Sequence, residues 1–260
     1  MKSKLSVLCL SVLAIGFSAQ ASAHDFWAEA VKPKANQKLS ALIGYGHNYP
    51  VGEEIPAEEI STRFLPPKVT GDGGELTLEQ GKAPREFLTA DNLPVGNYVV
   101  TIETPGGFST RTSDGWTRKP KNESPGAKSC SNYFRYGKEA IVLGGAKYSG
   151  LAAKPVGQEL EFVPQADPSK IKAGQPFPVK VIYKGQPLRG GEVSAYLAGM
   201  VKDNAALFFQ AATDQDGQVN IIPLKSGDWL AKVSVEEPYQ NKSVCDTINY
   251  TASYTFRVDN

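Results

Sequence analysis

Short alternations of apolar and polar residues, broken by Gly, Pro, Asn and Asp, recur along most of the chain. Lys38 to Tyr45 (KLSALIGY) puts Leu39, Ala41 and Ile43 on one side and small or polar residues on the other, the period of a strand with one buried face. Glu75 to Leu78 and Tyr98 to Glu103 read the same way, the second introduced by Pro94-Val95-Gly96-Asn97. Tyr133 to Leu143 predicts another strand, ended by Gly144-Gly145. Residues 24–35 read as mixed and extended, since Pro33 rules out a helix. Gly106 to Ser131 carries no such pattern and reads as a long loop, a kind of segment that usually has a function or moves.

From residue 152 onward the rhythm is clearer. Strand runs are predicted at Glu159 to Val163, Phe177 to Tyr183, Glu192 to Tyr196, Leu207 to Ala211, Val219 to Pro223, Trp229 to Val235 and Thr251 to Val258. Turn residues separate them, among them Lys184-Gly185-Gln186-Pro187 and Asp214-Gln215-Asp216-Gly217. Short strands at even spacing predict an antiparallel sandwich of immunoglobulin-like type. No long amphipathic helix is evident. The expected fold is all-β: two immunoglobulin-like units in tandem, 24–154 and 155–260, with the boundary at Pro155-Val156-Gly157.

The start of the chain changes this picture. Lys2 and Lys4 precede an apolar run from Leu5 to Phe17, and small residues close on Ala21-Ser22-Ala23. That is the layout of a secretory signal peptide cleaved after Ala23, which places the mature chain in the periplasm with His24 as its first residue. Cys9 is a poor lipidation site, because Leu8 stands where a small residue is required. Removing 23 residues takes away two lysines and no acid, so the 260-residue chain of formal charge +1 becomes 237 residues at −1. A near-neutral chain argues against nucleic acid or anionic membrane as the main partner. Beyond the signal no apolar run approaches the ~20 residues that span a bilayer.

Cleavage also leaves two cysteines, Cys130 and Cys245. In an oxidising compartment they are expected to pair as a disulfide, with two free thiols or a Cys/His metal site as weaker alternatives.

Histidine is rare here. The chain has two copies, His24 and His47, both in its first quarter. At a mature N-terminus, the α-amine and the imidazole Nδ1 of His24 can chelate one ion, and His47 would add a third nitrogen, a set that suits Cu(II) and Ni(II). The amine titrates near ~8 and imidazole near ~6.5, so both can ligate around neutral pH. Asp25, Glu53 and Glu54 are candidates to complete the coordination or to orient an imidazole. Glu58 and Glu59 read as a solvated face. Phe26, Trp27 and Trp229 are predicted core anchors, whereas Trp116, close to Arg111, Arg118 and Lys119, reads equally as binding surface or exposed lid. Asp214, Asp216 and Gly217 lack the other ligands of a calcium loop and read as a tight turn.

Two segments carry a family likeness. One is His24-Asp25-Phe26-Trp27 with Tyr45-Gly46-His47 and Glu53-Glu54; the other runs from Pro155-Val156-Gly157-Gln158-Glu159-Leu160-Glu161-Phe162-Val163-Pro164 through Lys172-Ala173-Gly174 to Asp214-Gln215-Asp216-Gly217. Together they resemble the secreted family described as the periplasmic component of nickel/cobalt uptake systems. That resemblance implies a metal-handling protein with Ni(II) or Co(II) as cargo, and an inner-membrane transporter or outer-membrane receptor as partner. Its C-terminal motifs alone speak to fold, not function.

Catalytic patterns are sparse. No nucleophile elbow and no phosphate-binding Gly-rich loop with its Lys is present, and the chain is expected not to be an enzyme. Two other classes stay open: a copper mono-oxygenase, which also uses an N-terminal His and a second His on a β-sandwich, and an immunoglobulin-like interaction module with no metal.

Overall fold

The computed structural model describes residues 24–31, 34–148, 150–199 and 208–259. The predicted signal peptide lies outside them. The fold is all-β, and one large sheet organises it. Across that sheet run Phe209–Ala212, Glu192–Leu197, Gly227–Pro238, Thr247–Val258, Ser129–Leu143, Gly96–Glu103, Lys68–Gly71 and Gly74–Glu75. Gly107–Thr112 pairs with Ser129–Leu143 off this path and carries Gly115–Thr117 on its other edge.

Two smaller sheets cover it. The first orders Asp25–Val31, Ser40–Gly46, Glu86–Thr89 and Leu78–Gln80; the second holds Leu160–Pro164, Phe177–Tyr183, Gln186–Pro187 and Gln218–Ile221. Strand alternation sorts the large sheet between them. Along Thr247–Val258, the residues Tyr250, Ala252, Tyr254 and Phe256 bury against Phe162, Phe177 and Val181 of the second small sheet. The residues between them point the other way: the hydroxyls of Ser253 and Thr255 donate to the carbonyls of Phe26 and Ala28, at 2.6 and 2.7 Å. Phe26, Leu39, Ile43, Val100, Ile102 and Ile141 fill the core on that side. Both expected sandwiches are therefore built on a shared sheet.

Their junction departs from an antiparallel plan. Ser131 to Glu139 pair in parallel with Thr247 to Thr255, joining the two halves by backbone hydrogen bonds. The predicted boundary is pinned as well: the amides of Val156 and Gly157 donate to Glu161, which also takes the Lys138 ammonium at 2.7 Å with both side chains 1% exposed. Burial pulls the Lys138 pKa down, and the Glu161 carboxylate opposes that.

Most predicted strands recur with shifted ends, and Phe177–Tyr183 falls where the pattern put it. The acidic run contains a helix the sequence did not announce, Ala57–Arg63, seven residues long with Ile60 as its buried contact. Gly106 to Ser131 is not one loop; its Gly107–Thr112 strand (GFSTRT) is mostly polar because most of it is only half-buried. The Asp214 turn is as expected: Asp214 Oδ1 accepts from the amides of Asp216 and Gln218, and Gly217 takes the positive φ of 73°. Cys130 and Cys245 form a disulfide with Cα atoms 5.0 Å apart. Among the described residues no helix is long and apolar enough to cross a membrane.

Candidate metal centre

The first strand and its neighbour build the site by register. Asp25 pairs with Gly46 and Val31 with Ser40. One more step of that antiparallel register sets His24 opposite His47. The chain then turns through Asn48 and a cis Tyr49–Pro50 bond, with the Val51 amide donating to Asn48, and comes back so that the Glu53 amide donates to the Tyr45 carbonyl at 2.8 Å. Gly46 permits this return, since a Cβ there would stand 3.1 Å from both the backbone nitrogen and the Cγ of Glu53.

His24, His47 and Glu53 consequently converge, and one potential ligand atom from each lies within 4.8 Å of the others. Glu53 Oε2 is 2.9 Å from His24 Nε2, and Oε1 is 2.5 Å from His47 Nδ1 and 3.1 Å from the His47 amide. Partial burial would raise the Glu53 pKa, but the hydrogen bond from His47 and the nearby His24 outweigh it and hold the carboxyl below its usual range. His24 moves down too, because burial disfavours its charged form more than Glu53 restores it. An ionised carboxylate only accepts, so the imidazole nitrogens facing it carry hydrogens. In a neutral imidazole that leaves the lone pair on His24 Nδ1, the nitrogen that chelates together with the residue's own α-amine.

Aromatic packing fixes these rings. His24 stacks on Tyr45 at 4.6 Å and 8°, its centroid is 3.8 Å from that of His47, and the Arg63 guanidinium lies 4.6 Å from the Tyr45 centroid. Two imidazoles held beside a carboxylate fit a divalent transition ion, with the carboxylate placed to orient the rings.

Asp25 corrects the sequence reading. It is 4% exposed and does not face the cluster; Lys232 Nζ donates to its Oδ1 at 2.7 Å and the Tyr196 hydroxyl to its Oδ2. Burial and the neighbouring Asp25 push the Tyr196 phenol far above its ordinary range, so it stays protonated and donates. Glu54 is exposed and outside the group. Glu59 is not merely solvated, since Arg63 and Arg118 both approach it, at 3.5 and 3.3 Å. Phe26 and Trp27 are core anchors as expected; the Trp27 indole occupies the space where a Cβ on Gly44, its cross-strand partner, would be.

Beside His24 opens a cleft of about 520 Å³, lined among others by Tyr45, Arg63, Trp116, Arg118, Tyr133 and Arg135. Trp116 and Arg118 therefore belong to a concave surface, while Arg111 and Lys119 do not line it. Sequence reasoning missed Arg135 and Tyr133. Their one signal was a charged residue within the strand-forming run Tyr133-Phe134-Arg135-Tyr136.

Among curated proteins none matches the sequence. Of solved structures, the D0-D1 domain of Intimin aligns at 14% identity over 89% of this chain and 97% of that one, with a TM-score of 0.21. The D00-D0 domain of Intimin aligns at 11% over 91% and 100%, TM-score 0.22, and a chimeric titin Z1Z2 at 12% over 91% and 99%, TM-score 0.20. Scores this low carry nothing about this chain, whose fold rests on the sheet pairing above. The span 21–237, which holds His24, His47, Glu53 and the lining of the cleft, matches the model of the family described as a domain of unknown function, DUF4198, and the chain belongs to that family.

Proposed function

We propose that the mature protein is a periplasmic, non-enzymatic carrier of a divalent transition metal, with nickel or cobalt as cargo for an uptake system and Cu(II) as a further ion its nitrogens would accept. The observation that carries this reading is the convergence of His24, His47 and Glu53, the chain's two histidines meeting at one carboxylate. His24 supplies its Nδ1 and, after cleavage at Ala23, its α-amine; His47 supplies a second imidazole. Glu53 accepts a hydrogen from each ring and holds both in place, the role of an outer carboxylate that orients metal-binding histidines. Tyr45 and Trp27 anchor the strand, so the terminus that carries the amine is held rather than frayed.

Isothermal titration of the chain beginning at His24 against Ni(II), Co(II) and Cu(II) tests this reading. One site per chain is expected, lost in His24→Ala and in a chain that keeps one extra residue before His24. Absence of binding, or binding unchanged by both alterations, overturns it. Oxidant-dependent turnover of a polysaccharide by the copper-loaded protein would replace the carrier with an oxidative enzyme.

A further inference from the structure

The cleft beside His24 is far larger than an ion requires. At about 520 Å³ it lies in the range of sites that take organic molecules, whereas a single water claims roughly 30 Å³ of liquid. Its lining includes three arginines and no acid. Arg63 and Arg118 share Glu59, while no carboxylate stands within ion-pair distance of Arg135 among the described residues. Arg135 instead sits between two rings, 5.8 Å from the centroid of Tyr45 and 5.0 Å from that of Tyr133. Trp116, on its short hairpin, lines the same cleft and is 66% exposed, so most of the indole is open to a ligand.

Guanidinium groups match carboxylates as two-pronged donors, and open aromatic faces match planar rings. The excess positive charge and the flat apolar walls together select an anion that is also planar. We propose that this cleft binds a small aromatic carboxylate, and that the metal reaches His24 and His47 as a chelate of such a ligand, the second half resting on the metal-carrier reading above. The ring stacks between Trp116 and Tyr133, a carboxylate meets Arg135, and a chelated ion projects toward His24. His24 lines the cleft directly, so a ligand seated there reaches the ion without leaving its own pocket.

Two probes of similar shape separate the halves. Isophthalate offers the ring and two carboxylates without a pincer for metal; pyridine-2,6-dicarboxylate adds the ring nitrogen and wraps Ni(II). Titrated into the metal-free chain that begins at His24, isophthalate should bind and change the tryptophan fluorescence. Arg135→Gln should weaken it roughly tenfold or more, the loss expected for one charge-assisted pair. Trp116→Ala, at an exposed position that does not endanger folding, should weaken it and remove the fluorescence change. The 1:1 Ni(II) complex of pyridine-2,6-dicarboxylate should bind tighter than isophthalate, and His24→Ala should erase that gain. Failure of isophthalate to bind the folded wild-type protein overturns the cleft's ligand class and leaves the metal site standing. A nickel complex no tighter than isophthalate overturns delivery as a chelate. Isophthalate binding by a protein that takes no Ni(II) alone supports the cleft and overturns the metal-carrier reading.

Discussion

A Cβ on Gly137 would stand 2.8 Å from the backbone nitrogen of Ala28. The first strand thus packs its main chain directly against Gly137 of Ser129–Leu143, and the hydroxyls of Ser253 and Thr255 take hold of its carbonyls on either side. His24 rides on this strand. The lock on Ala28 is therefore also what fixes the start of the metal site.

Gly137→Ala should push the strand off the sheet. The obstruction is main chain, along with Ile102 at 2.6 Å, and it cannot rotate away. A cost of about 2 kcal/mol is expected, seen as a fall in Tm of roughly 4–8 °C by circular dichroism. The alanine variant should also bind metal more weakly, because His24 shifts relative to His47. An unchanged Tm would show that the contact relaxes freely.

Asp25 follows His24 in sequence but does opposite work. Asp25→Ala leaves the Lys232 ammonium and the Tyr196 hydroxyl without the carboxylate that joins them. Stability should fall by about 2–4 kcal/mol in chemical denaturation, given that the carboxylate is almost wholly buried while Lys232 keeps some contact with water. Titration of the folded variant should still give one metal site per chain. A lost site with stability intact would return Asp25 to the ligands.

How much of this could be read from residues alone depended on whether a signal was local. Alternation in Phe177–Tyr183 marks a strand because one face meets a core; Gly107–Thr112 has no such face and passed for a loop. The parallel pairing of Ser131 with Thr247 joins positions 116 apart, and no short-range pattern encodes it. His24, His47 and Glu53 were all identifiable by type, but their meeting depends on a register that no tight hairpin turn announces. The misplacement of Asp25 has a simpler cause. Residues 24–35 read as extended without strand alternation; Asp25–Val31 is a strand, and its alternation carried one residue back sets 24 and 25 facing opposite ways. Arg135 stayed hidden because a single charge in a strand says nothing about what it faces.

Reduction of the disulfide bears on the join between the halves. Cys130 and Cys245 close a loop of 115 residues, and long loops gain the most from a crosslink in the chain-entropy account. Cys130→Ser with Cys245→Ser should lower stability by about 2–4 kcal/mol in guanidinium denaturation. The fold should survive, since the Cys130 amide donates to Asp246 at 2.8 Å and Asp246 in turn takes the Lys121 ammonium. Ni(II) affinity should not change, because none of these partners touches His24, His47 or Glu53. Equal stability with and without the bond would mean that the noncovalent contacts between the halves suffice to join them.

Glu53 is the residue whose substitution discriminates most sharply between ways of holding an ion. If it orients the two imidazoles, Glu53→Gln preserves the shape and one acceptor oxygen but offers an NH2 group where the other ring N–H donates. One imidazole must then flip or lose its partner, and metal affinity should drop by roughly 10–100-fold with one site per chain retained. Glu53→Ala should cost at least as much and leave the His47 amide without its side-chain acceptor. Titration with Ni(II) and with Cu(II) reads both variants. A Gln variant that binds as wild type would show that the carboxylate does not hold the rings. One that loses the site altogether would place Glu53 among the ligands, with an oxygen in the coordination sphere beside the nitrogens of His24 and His47.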